Sequence, residues 1–298
     1  MRLTLLFVFI FLSYFVFSQE NNIDVLHYKF NISLNDVNDT IYGVAEIKVK
    51  FLKSANKLAF DLGLQKEKGR GMTVGKILGP DINSTMAKDE KIRIFLSQEM
   101  KADDTETFVI QYKGIPAGGL TISKTKYGHR GFFGDNWPNN GHNWLPCHDD
   151  QADKASVEFI ITAPKHYQVV ANGIQVEESS YLNGDKLTHW KEDVPISTKV
   201  MVIGVADFAV SLAGYVNEKI PVYSWVYPED KDIGFYDYSQ ALEILPFYIN
   251  NIGPYGYKNW RTYNRKQNSA AWKMPIPYSI QKILLAEPGE VKDCWPMK

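Results

Sequence analysis

The densest run of chemically capable side chains is His142-Asn143-Trp144-Leu145-Pro146-Cys147-His148-Asp149-Asp150, followed by Asp153-Lys154-Ala155. Imidazole, thiol and carboxylate side by side are the donor types that hold zinc. Their spacing argues against a metal centre, because tetrahedral ligands must converge, whereas adjacent residues of an extended segment point to opposite faces. The run reads better as a packed turn with Trp144 and Cys147 buried.

The elements around this turn are strands. From Asp24 the sequence alternates, with Leu26, Tyr28, Phe30, Ile32 and Leu34 on one face and His27, Lys29, Asn31 and Ser33 on the other. A period of two is the mark of a half-buried strand. A second strand spans Ile41 to Phe51 with Ala45, Ile47, Val49 and Phe51 inward, and the polar Asn-Asp stretch between the two supplies a turn. Shorter strands are expected at Ile92–Leu96, Phe108–Tyr112, Val157–Thr162, Val169–Asn172, Lys199–Val205 and Val222–Tyr227. The fold class is therefore mainly β, an antiparallel sandwich or saddle. After Tyr227 the pattern changes. Leu242, Leu245, Ile249 and Ile252 fall at helical spacing within Phe235–Ile252, Gly253-Pro254 stops the helix, and Pro246 should kink it.

The chain has 298 residues and a net charge of -1, with no block of Lys or Arg, so nucleic acid is excluded as a partner. Its first residues place Arg2 before an apolar run from Leu3 to Phe17 and a small residue at Ser18. That order reads as a secretory signal cleaved after Ser18, since a run of about 15 residues is short of the ~20 that span a bilayer. Export to a periplasmic or extracellular space is expected, with no stable membrane span once the signal is removed. Cys147 and Cys294 make no disulfide framework.

Trp144-x-Pro146-Cys147-x-Asp149, then Lys154-Ala155, a strand and Val169-Val170-Ala171-Asn172-Gly173 resemble the N-terminal domain signature of the aminopeptidase N family of zinc metallopeptidases. Trp190, Pro195-Ile196, Gly204 and Phe208 continue in order. Tyr223-Ser224-Trp225-Val226-Tyr227-Pro228 and Leu245-Pro246-Phe247-Tyr248 with Gly253-Pro254-Tyr255 are similar to the crossing into the catalytic domain. The resemblance covers about residues 24 to 258, and departs at Gln151 and at Asn140-Gly141. It implies peptide substrates, Zn2+ in the intact family, and an N-terminal domain that caps the zinc site and lends a side chain to the substrate's α-amino group. By order along the chain the corresponding loop is Gly134-Asp135-Asn136-Trp137-Pro138. Asp135 or Asn136 is the candidate, because a carboxylate or amide oxygen accepts from an ammonium. A turn beside a packed Trp is the alternative.

The family's chemistry needs His-Glu-x-x-His with a further Glu on zinc, and Gly-x-Met-Glu-Asn for the substrate ammonium. Neither string occurs here, and His166 and His189 lack a partner at i+4. No zinc is expected on this chain. The region from Asn259 departs from the family in a particular way. Loss of one adenine near the Lys258 codon accounts for the departure, because Ser269 to Met274 and Glu290 to Lys298 can be back-translated in a shifted frame to Gly-Gly-Met-Glu-Asn and to Ser-Glu-Gly-Leu-Leu-Ala-His-Glu. The expected organisation is a signal over 1–18, the β domain over 19–227, the start of a thermolysin-like catalytic domain over 228–258, and an out-of-frame, irregular tail over 259–298. The expected function is that of an N-terminal domain fragment of an exported zinc aminopeptidase, inactive by itself and poorly stable because the helix leaves an apolar face uncovered. The alternative is a stand-alone β module that binds peptides or glycans on its open face.

Overall fold

A computed structural model describes residues 22–66 and 69–263; the expected signal over 1–18 and the expected tail from 264 onward lie outside the described residues. The first half of the chain forms β1 (Ile23–Ser33), β2 (Ile41–Phe51), β3 (Ala55–Asp61), β4 (Gly71–Leu78), β5 (Ile82–Lys88), β6 (Lys91–Met100) and β7 (Thr105–Ile115). Then come β8 (Leu120–Lys124), β9 (Arg130–Gly134), β10 (Lys154–Pro164), β11 (Gln168–Ala171), β12 (Ile174–Ser180), β13 (Asp185–Ser197) and β14 (Ile203–Ala206). The hairpin β15 (Ala209–Val216) and β16 (Ile220–Val226) leads to α1 (Lys231–Ser239), α2 (Ala241–Asn251) and β17 (Trp260–Tyr263).

Seven strands in the order β12-β13-β10-β1-β2-β7-β4 make the main sheet. Its pairings are antiparallel except where β1 and β10 run parallel. Tyr28, Phe30, Ile47, Val49, Phe108, Ile110, Phe159 and Trp190 line its inner face and are buried. Against this face pack β3-β6-β5, with Phe60, Ile92 and Ile94, and β11-β14-β9-β8, with Phe132, Phe133, Ile203 and Val205. One apolar core therefore lies between the large sheet and two smaller ones, as expected for a mainly β fold.

Four local readings change, the first being the strand expected at Lys199–Val205: Thr198–Val200 form a 3-10 turn, and the strand begins only with β14 at Ile203. Leu26 does not face the core. The register shifts between Val25 and His27, so Val25 is fully buried and Leu26 is 36% exposed. The bulge adds one residue, and only from Tyr28 onward does the alternation hold. The helical segment is split at Gln240 rather than kinked at Pro246, which lies inside α2. Gln240 keeps a right-handed helical backbone, and its carbonyl accepts from the N–H groups of both Glu243 and Ile244, which marks the join. Finally, the first residues of the expected irregular tail form β17, which pairs parallel with β16. Trp260, Thr262 and Tyr263 are buried, and Tyr263 stacks on Phe133 with centroids 6.4 Å apart. The open edge of β16 offered backbone partners that a reading of sequence pattern does not see.

The helices are partly covered. Ala241 and Leu245 join Val216, Val222 and Trp260 in a second apolar cluster, with Leu242 and Ile249 against it, while Phe247 and Ile252 face outward. No helix among the described residues is long and apolar enough to cross a membrane.

Candidate functional site

Strand β9 ends at Gly134 and delivers Asp135 and Asn136 into the loop that precedes β10. The Asp135 N–H donates to the Gly119 carbonyl at 2.6 Å, which fixes the exit from the sheet. Gly119 is required here: its φ is +71°, and a Cβ would stand 2.1 Å from the Asn140 carbonyl oxygen. Asp135 is half-buried. Asn136, one residue on, is 1% exposed. Its Nδ2 donates to the carbonyls of Thr198 (2.9 Å) and Met201 (2.7 Å), and its Oδ1 accepts from Trp144 Nε1 at 2.8 Å. The two candidates are thus separated by geometry. The Asn136 amide is engaged on both ends inside the protein and ties three loops together, whereas Asp135 is the more exposed of the pair.

The His142–Asp150 run is a knot of loop and sheet. Trp144 is fully buried and stacks on Phe159 at 6.3 Å, and Cys147 is 1% exposed. The Cys147 and Asp61 backbones exchange hydrogen bonds of 2.6 and 3.1 Å, pinning the loop to the end of β3. Each nearby histidine takes its own carboxylate: His142 Nδ1 with Asp149 Oδ2 and His148 Nδ1 with Asp153 Oδ2, both at 2.7 Å. Asp149 Oδ1 accepts from Thr198 Oγ1 at 2.8 Å, and Asp61 pairs with Lys91 at 2.5 Å. Spacings of seven and five residues between each His and its Asp around a turn were the available signal for these pairs; nothing in the sequence marked Thr198.

Electrostatics follow from these contacts. The Asp149 hydrogen bond raises His142 above its ordinary value against a smaller loss from burial. Burial pulls His148 down, but the bond and charge of Asp153 outweigh it and the net shift is upward. Burial pushes Asp149 up, yet the hydrogen bonds from His142 and Thr198 prevail and it is lowered. Burial holds the Cys147 thiol well above its ordinary value, which disfavours the thiolate that a nucleophile needs.

A cleft of about 600 Å³ is bounded by Asp61, Glu90, His142, His148, Asp149 and Asp150. Its chemistry does not fit zinc. All six histidines of the chain, His27, His129, His142, His148, His166 and His189, are among the described residues, and no three of the described His, Cys, Asp and Glu side chains converge on one point. Asp61, Asp149 and Asp153 are already bound to lysine, imidazole, hydroxyl or backbone groups. The Gln151 departure has a visible consequence at the rim: its amide donates to Asn139 Oδ1 at 2.8 Å and accepts from Lys199, whose Nζ lies 4.9 Å from the Trp137 ring centre.

The profile of the Peptidase M1 N-terminal domain matches residues 25–200. An aminopeptidase N of Haemonchus contortus is 23% identical over 167 residues, 53% of this chain and 17% of the relative. A glutamyl aminopeptidase of Rattus norvegicus is 23% identical over 243 residues, 76% of this chain and 25% of the relative. The chain thus spans a quarter or less of these relatives' length. An M1 zinc metallopeptidase from Deinococcus radiodurans shares the fold, with a TM-score of 0.69 at 18% identity over 84% of this chain and 57% of that structure.

Proposed function

Because the chain belongs to the Peptidase M1 N-terminal domain family, we propose that its β domain is the part of an exported zinc aminopeptidase that anchors the amino end of a peptide substrate. The profile match over residues 25–200 carries this reading. Asp135, half-buried at the end of β9, is the residue that we assign to the substrate ammonium, since a carboxylate accepts a charge-assisted hydrogen bond from it. Zinc belongs to the intact relatives. No His-Glu-x-x-His string occurs in these 298 residues and the described donors do not converge, so no catalytic step is assigned to them.

The proposed organisation is a signal over 1–18, the β domain over 19–227, the opening of a catalytic domain over 228–258 and an out-of-frame tail beyond. Resequencing across the codons for Lys258 and Asn259 tests the last element: an additional adenine that opens a frame continuing into His-Glu-x-x-His supports it, and its absence refutes it. For the chain itself, an aminoacyl anilide assay with added zinc, together with measured bound metal, should show neither turnover nor stoichiometric zinc. Either result would overturn the claim of inactivity.

A second reading, a stand-alone module for peptides or glycans, draws on a groove of about 580 Å³ on the outer face of the main sheet, where Tyr42 and Tyr181 are exposed. It predicts a ligand-induced rise in melting temperature that is abolished by Tyr42→Ala, an outcome the anchoring reading does not share.

A further inference from the structure

Trp190 on β13 and Trp225 on β16 stand 6.2 Å apart with their planes at 67°, and Tyr223 lies 5.5 Å from Trp225. The three rings form a corner. Into it projects Arg261 of β17, its Cζ 4.1 Å from the Trp190 ring centre, 5.6 Å from Trp225 and 5.8 Å from Tyr223. One guanidinium nitrogen donates to the Gly173 carbonyl, which also accepts from Asn259 at 2.8 Å.

We propose that Trp190, Tyr223, Trp225 and the Gly173 carbonyl form a receptor for guanidinium-bearing ligands, occupied in this chain by Arg261 and open to a free guanidinium when that side chain is removed. The chemistry selects the ligand class. Aromatic faces attract a cation through their quadrupole, most strongly where water is excluded. A guanidinium is planar and weakly hydrated, so it can lie on an indole while its fork of donors reaches a carbonyl; a compact ammonium gives up more hydration and has no plane to stack. Burial lowers Arg261 to about 9, which leaves it charged at neutral pH.

The receptor is built before the guest arrives. All of its rings are on paired strands: Trp190 is opposite Phe159 and Gln175, and Trp225 is opposite Val210. Gly173 has φ +83°, and a Cβ there would lie 1.8 Å from the Lys191 carbonyl oxygen, so the backbone that presents the acceptor is fixed. Every one of these residues precedes Lys258, and the receptor is therefore independent of the reading frame that encodes β17. The guest fits less well than the host. Arg261 Nε has no acceptor among the described residues, so the tether of β17 rather than ideal hydrogen bonding sets its position.

The test is chemical rescue in the full chain. Arg261→Ala should melt lower than the parent protein. Methylguanidinium, at matched ionic strength, should restore its melting temperature saturably, by about 3 °C at ten times Kd. The parent protein should show no such rise, nor should the double variant Trp190→Leu/Arg261→Ala. Should Arg261→Ala not fold by itself, refolding yield with methylguanidinium against methylammonium reads the same property. Rescue by methylammonium as good as by methylguanidinium, rescue that survives Trp190→Leu, or no rescue at all would overturn the proposal.

Discussion

Replacing Asn136 by Ala tests whether this residue is a structural clamp or a free ligand for substrate. The side chain is 1% exposed and makes three hydrogen bonds, so its loss strands Trp144 Nε1 and the Met201 carbonyl, while the Thr198 carbonyl keeps the Met201 N–H. A buried polar group left without its partner costs ~1–3 kcal/mol, so the two stranded groups cost about 4 kcal/mol together at mid-range. With a urea slope of ~2–3 kcal/mol/M, the midpoint should fall by about 1.5 M. Urea titration followed by circular dichroism measures this directly. Asn136→Asp sharpens the test because it preserves shape. One oxygen still accepts from Trp144, while the other faces two carbonyl oxygens, so the loss at neutral pH should be at least as large and should diminish in acid as the carboxyl gains a proton. A midpoint for Asn136→Ala within about 0.3 M of the parent protein, against that urea slope, would refute the clamp and return the residue to the candidates for substrate binding.

The pH dependence of stability has a worked sign. His142 and His148 have raised values in the fold, so their contributions are complete below their ordinary 6.5 and are lost as pH climbs through the raised values. The lowered Asp149 contributes above 3.8 and loses that contribution as pH falls through its depressed value. His27, pulled down by burial, works against the imidazole slope, so a melting curve of His142→Gln/His148→Gln against pH isolates it and should be flatter on the alkaline side. Cys147 should resist iodoacetamide in the native protein and react on unfolding, as read by peptide mapping, because its thiol is buried and held protonated. Gly173→Ala should lose about 3 kcal/mol or more in urea titration, since a left-handed φ and a backbone clash coincide there.

The sequence by itself determined the mainly β class, the strands with a clean period of two and the residues that mark the family. Alternation is a property of one strand against one apolar face, so Tyr28 to Leu34 and Ala45 to Phe51 declared themselves. The packed turn around Trp144 and Cys147 was legible too, because adjacent donors on an extended segment cannot converge. Edges, bulges and loop contacts were not. Val25 displaced Leu26 from the core through one extra residue in a ladder, which no period reveals. Asn136 and Asp135 look equally suited to hold an ammonium, and only the arrival of Thr198, Met201 and Trp144 from distant positions turned one of them inward. Trp260–Tyr263 became a strand because β16 had an unpaired edge and Trp190 and Trp225 left a corner for a cation. Local pattern records what a segment does with its own neighbours. Hydrogen bonds and ring contacts between residues far apart in the chain exist only once the strands have met, and they decided which side chains hold the fold.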